Sequence, residues 1–260
     1  MNDWENDPTI LPPQQILFIF LITVTLVVFA GIVFTVLFNP TVALLSELLI
    51  IVPSIIFVAN RKLSFKTVFR FNPVNASIII HSILLSLIVF VLGDELDRLL
   101  SAIFPMPKSM LEGLKNVLLF HSLTQAIIIF VAAVIFAGFA EEMFFRGLLQ
   151  RALEHYRDPA LAIVFTSALF ASIHLNPWSA LQILFLGLAL GYMAWKSNSV
   201  FPAIILHATN NFLSLVLLNT PEEKVTWYAA TTHVNIIWVL LALLLIVPFF
   251  QSFNRACTVR

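Results

Sequence analysis

Apolar residues run in long uninterrupted blocks along this chain, and short polar stretches separate them. A bilayer core takes about 20 apolar residues per helix. Blocks near that length lie at 15–38, 42–59, 76–93, 122–147, 160–176, 178–195, 200–218 and 234–250. They predict an all-α fold, a polytopic membrane bundle of about eight transmembrane helices. Segment 94–121 is mixed. It holds Asp94, Glu95, Asp97, Arg98, Lys108, Glu112 and Lys115 with two prolines, and it reads as an interfacial loop with an amphipathic piece. The expected organisation is one integral domain. Residues 1–119 carry helices one to three and the interfacial segment, 120–218 carry helices four to seven, and 219–260 carry the last helix and the tail.

Composition agrees with the pattern. Hydrophobic residues make up 60% of the 260 and charged residues only 11%, against about 25% charged in a soluble domain. Most of the surface is therefore expected to face lipid. The formal net charge of zero leaves no basic field for nucleic acid. One cysteine, Cys257, excludes an intramolecular disulfide and a cysteine metal cage. Residues 1–14 carry acids and no basic residue, unlike a signal peptide, so no cleaved leader is expected.

Lys and Arg set the expected orientation. With both termini cytoplasmic, Arg61, Lys62, Lys66, Arg70, Arg146, Arg151, Arg157, Lys196, Arg255 and Arg260 fall inside, against Arg98, Lys108, Lys115 and Lys224 outside. Trp178, Trp195 and Trp227 fall near predicted span ends, as interfacial tryptophans do.

Ionisable groups inside spans are costly and are functional candidates by default. Three motifs stand out: Glu141-Glu142 with Arg146, Phe170 with His174, and His207 with Asn211. In each, residues four apart share a helix face. Glu142 and Arg146 can pair, which leaves Glu141 as the free carboxylate. Glu47, His81 and His121 stand alone in or beside spans and read as structural or interfacial. A hairpin turning at Asp158-Pro159 puts Glu141 and His174 at one depth, each about 25 Å from the turn at 1.5 Å per residue.

A carboxylate and two imidazoles suit activation of water. Glu141 would serve as general base, with His174 supporting it or protonating the leaving amine. His207 with Asn211 would stabilise the tetrahedral oxyanion, or Asn211 would orient His207. A zinc version, with His174 and His207 as ligands and a carboxylate as third ligand or base, is equally open, although the spacing His-Glu-x-x-His is absent. No Gly-x-Ser-x-Gly elbow occurs and the lone cysteine is terminal, so serine and cysteine nucleophiles have no support.

Glu141-Glu142-x-x-x-Arg146, Phe170-x-x-x-His174 and His207-x-x-x-Asn211, in this order on apolar segments, resemble the CPBP family. This family comprises the intramembrane CAAX prenyl endopeptidases and bacteriocin-processing enzymes, also called Abi proteins. The resemblance covers about residues 120–218. It implies an eight-helix fold with a cytoplasm-facing cavity and a membrane endopeptidase, of glutamate or metallo type. Glu141, His174, His207 and Asn211 would be catalytic, with Glu142, Arg146 and Phe170 supporting. Its substrates would be membrane-associated peptides or lipidated proteins, in the plasma membrane of a bacterium or the endoplasmic reticulum of a eukaryote. The rival readings are a non-catalytic scaffold or bacteriocin-immunity protein, and a haem- or ion-binding membrane protein using His174 and His207.

Overall fold

The computed structural model describes residues 10–230 and 232–258. The acids of the amino-terminal stretch 1–9, and Arg260 from the charge tally, lie outside the described residues. Among the described residues, seven helices are long and apolar enough to cross a membrane: α1 (Pro13–Leu37), α2 (Pro40–Asn60), α3 (Ala76–Ile103), α5 (Leu123–Tyr156), α7 (Ala180–Ser197), α8 (Phe201–Leu218) and α9 (Ile236–Thr258). The shorter apolar α6 (Pro159–Ile173) is the eighth member of the bundle, and α4 (Lys108–Leu118) is amphipathic. No strand forms among the described residues, apart from one isolated bridge between Ala229 and Val234. Large apolar side chains such as Leu17, Phe18, Phe29, Leu244 and Val247 point outward, as a lipid-facing surface requires.

Helix starts follow local chemistry. Asn39, Asn75, Ser122 and Asp158 each cap a helix by accepting from a backbone N–H of its first turn. Pro40 and Pro159 sit in first turns, where a missing N–H costs nothing. Asn198, with φ 46°, ends α7 in the left-handed conformation that asparagine tolerates.

One expectation changes. The third span does not stop at residue 93, because α3 continues to Ile103 through the charges of 94–98. Three of the four charges, Asp94, Glu95 and Arg98, find partners there. Asp94 pairs with Arg98 one turn on at 3.2 Å. Glu95 accepts from His233 Nδ1 at 3.0 Å and from the Val234 backbone N–H at 2.8 Å, which ties the 219–235 loop to the helix. The amphipathic piece is α4, none of whose residues is buried; Met110, Leu111 and Leu114 are exposed along it.

The end of the bundle that carries the basic loops is plugged by segment 64–75. Phe69 is fully buried. Phe71 stacks against Phe139 of α5 and Phe201 of α8, at ring separations of 6.0 and 5.9 Å. The Val200 N–H donates to the Arg70 carbonyl at 3.0 Å. Arg70 forms a two-contact ion pair with Glu154, and Gln150 Nε2 donates to Glu154 and to the Gly191 carbonyl, both at 2.8 Å. Gly147 makes this fit possible, because a Cβ there would lie 2.9 Å from both the Cα and the carbonyl oxygen of Phe69. Gly147→Ala is therefore expected to destabilise the bundle by about 1–3 kcal/mol, the usual overpacking cost. A lowered thermal midpoint of the detergent-solubilised protein checks it; an unchanged midpoint would mean that the plug is not held against α5.

Candidate active site

α5 is wound loosely, with i→i+5 bonding over Phe130–Glu141 and Met143–Gln150. Such expanded turns recur at functional sites. Close approach of α8 is allowed by Gly138, whose missing Cβ would meet Ala208 at 3.2 Å. Polar groups from three helices meet at this level.

The hub is Glu142. Its Oε1 accepts from Arg146 Nη1 at 2.8 Å and from His207 Nδ1 at 2.8 Å, and neither Glu142 nor Arg146 has any exposed surface. Arg146 Nη2 also donates to the Gly187 carbonyl of α7 at 3.3 Å. The guanidinium lies over the ring of Phe170, 4.3 Å from its centroid, a favourable cation–π position. Phe170 meets Phe145, His174 and His207 edge-on, at 5.2, 4.8 and 5.7 Å. Phe170 and Phe145 thus lie at one level of the α5/α6 hairpin, as equal distances from its turn require.

Both imidazoles are held in the same way. A carboxylate and a carbonyl can only accept, so the Nδ1 protons donate: His207 to Glu142, and His174 to the Phe170 carbonyl at 2.7 Å. Each ring is left with Nε2 for chemistry. Asn211 does not orient His207. Its Nδ2 donates to the Ala133 carbonyl at 2.8 Å, and its Oδ1 accepts from Asn210 at 3.3 Å. That leaves Asn211 one unspent N–H.

Glu141 stands apart from this network. It is 5% exposed, and its buried Oε2 has no hydrogen-bond partner. No hydrogen bond links it to His174, His207 or Asn211 among the described residues. The structure thus brings Glu142, Arg146, Phe170, His174 and His207 into one cluster, anchors Asn211 beside it on α8, and leaves Glu141 next to it with a free oxygen. Arg146, which the charge tally places among the loop cations, is a buried member of this centre. The double role of Glu142 escapes sequence reasoning, because His207 lies 65 positions away on another helix.

α6 is too short to cross the hydrocarbon core. Its 15 residues rise about 22 Å at 1.5 Å each, less than the roughly 30 Å hydrocarbon core. The chain leaves the helix at His174, passes through Leu175 in the left-handed region (φ 51°), and turns on Asn176, whose Oδ1 accepts from Trp178 N and Ser179 N. A branched apolar residue at positive φ is uncommon and marks a constrained site. Irregular backbone at membrane depth requires protein or water around it. A cavity of about 980 Å³ lies on this side, reaching Gln182 near the start of α7 and Ser214 one turn past Asn211. Another of about 640 Å³ lies between the α1–α2 turn, α4 and the start of α5. Both lie at the end opposite the basic loops, whereas the resemblance implies a cytoplasm-facing hollow. The packed Phe69–Phe71 segment fills the basic end.

A zinc site would need a third ligand beside His174 and His207. Among the described residues no group of three or more His, Cys, Asp or Glu converges as ligands.

Fold and site together define a polytopic membrane protein with a buried acid–imidazole centre. Residues 123–213 match the family model of the type II CAAX prenyl endopeptidase Rce1-like proteins, which are membrane endopeptidases. The matched segment contains Glu141, Glu142, Arg146, Phe170, His174, His207 and Asn211, and it bears out the resemblance to the CPBP intramembrane proteases. No curated protein and no solved structure matches the chain.

Proposed function

We propose that this protein is an intramembrane endopeptidase that removes the carboxy-terminal residues of prenylated, CAAX-type substrates through a glutamate-activated water. The observation that carries the reading is the division of labour between two adjacent acids. Glu142 is held through its Oε1 by Arg146 and His207, while Glu141 makes no hydrogen bond to this cluster; each keeps a buried Oε2 without a partner. Glu141 takes one proton from water as the water oxygen attacks the scissile carbonyl carbon. The oxyanion is met by the spare N–H of Asn211 and, when the ring carries both protons, by His207 Nε2–H, with Nδ1 held by Glu142. Glu141 or His174 then passes the proton to the departing amine nitrogen, and the C–N bond breaks. With the basic loops on the cytoplasmic side, both termini are cytoplasmic.

The test is a farnesylated peptide with a CAAX terminus, incubated with the protein in liposomes and read by mass spectrometry. Release of an intact carboxy-terminal tripeptide is the expected result. No release, or equal cleavage of the unprenylated peptide, would overturn the substrate class.

A further inference from the structure

α6 and α7 lie so close that a Cβ at Gly187 would come within 3.0 Å of the Ser167 Cβ. The chain must therefore reverse direction within a few residues. It does so between Ile173, where α6 ends, and Ala180, where α7 begins. Asn176 organises this turn. Its Oδ1 accepts from the Trp178 and Ser179 backbone N–H groups at 3.2 and 3.4 Å, and its Nδ2 donates to Ser179 Oγ at 3.3 Å. An asparagine side chain used in this way supplies the acceptor that the first N–H groups of a helix lack. The Trp178 ring stacks on Phe104, just past α3, at 5.8 Å and pins the turn from the other side.

The same turn decides what happens at His174. Leu175 is held at φ 51°, so α6 cannot continue beyond His174. The His174 backbone N–H is directed to the Ser172 carbonyl, and the Leu175 N–H reaches the same oxygen at 3.3 Å. In a continuing helix the His174 N–H would occupy the carbonyl four residues back, that of Phe170. Here that carbonyl accepts from His174 Nδ1 at 2.7 Å instead. His174 is exposed, and this is the one hydrogen bond that holds its ring among the described residues. The way α6 ends thus determines which ring nitrogen carries the proton.

We infer that Asn176 is a positioning residue for His174: by closing the 176–179 turn it keeps Leu175 left-handed, leaves the Phe170 carbonyl open to Nδ1, and so presents Nε2 to the reaction. The inference rests on the reading of His174 as a member of the hydrolytic site. Asn176 itself touches no reacting atom. It acts through the backbone, two residues away from the imidazole.

The whole protein in lipid nanodiscs, labelled with nitrogen-15 histidine, provides a test that holds whether or not a peptide is cleaved. The His174 ring signals are those lost in His174→Gln. In mildly alkaline buffer the wild type should show a protonated Nδ1 and a bare Nε2. In Asn176→Ala the two signals should move towards one another, as the ring exchanges between tautomers. Asn176→Asp, whose carboxylate accepts in the same place, should keep the wild-type pattern. If the alanine variant does not fold, Asn176→Gly removes the acceptor at a position where glycine is tolerated. A wild-type proton on Nε2, or identical spectra with and without the acceptor, overturns the inference. Cleavage of the farnesylated peptide supplies the second arm. Asn176→Ala should lower kcat about tenfold to a hundredfold with little change in KM, the cost of a misplaced group, and Asn176→Asp should recover most of it. Equal rates for the Ala and Asp variants overturn the positioning role. Wild-type cleavage by His174→Gln would instead remove His174 from the reaction and leave the spectral result standing.

Discussion

Glu141→Gln is expected to lower kcat for peptide cleavage by about 10²–10⁴-fold, the contribution of a positioned general base, without lowering the thermal midpoint. Glutamine fills the same volume and keeps an oxygen in place, but it cannot take a proton from water. The fold loses nothing, because Glu141 makes no hydrogen bond to the surrounding cluster, and its buried Oε2 is without a partner. Removing a charge from such a site relieves a desolvation cost, so the midpoint should hold or rise. Loss of activity with retained stability is the signature of a group placed for chemistry at the expense of the fold. Matched measurements of kcat and KM on the purified variant check it. A fall confined to KM, or a rate within tenfold of wild type, would move the base to another residue.

Much of this architecture is legible in the chain, because lipid imposes a simple rule on helix length. Every apolar block corresponds to a helix of the bundle, and the turn at Asp158-Pro159 lies where the capping residue and proline predict it. The errors arise where a residue's partner is remote in sequence. Asp94, Glu95 and Arg98 read as the end of a span, because nothing local shows that His233 and Val234 will satisfy Glu95. His81 reads as structural and is so: its Nε2 bonds Ser252 of α9 at 2.7 Å. Spacing of four locates the pair Glu142–Arg146, whereas the bond from His207 to the same oxygen depends on how α5 and α8 meet at Gly138.

That shared oxygen makes Glu142→Ala the most damaging substitution for the fold. Removing the carboxylate leaves the guanidinium of Arg146, which has no exposed surface, without its counter-charge. Breaking a buried pair from one side costs about 3–5 kcal/mol, which should appear as a large fall in the thermal midpoint. His207 loses its acceptor in the same step. Its ring is then free to turn and its tautomer is no longer specified, which by analogy with other orienting partners costs about tenfold to a hundredfold in activity. Stability and catalysis can be separated by also replacing Arg146. In Glu142→Gln/Arg146→Met no unpaired charge remains, and the amide oxygen can still accept from His207. The double variant should therefore recover most of the midpoint lost in Glu142→Ala. Its activity should stay low, because a neutral amide accepts more weakly than a carboxylate and holds the His207 ring less firmly. Full recovery of both would show that Glu142 serves only the packing of α5, and that His207 needs no charge behind it.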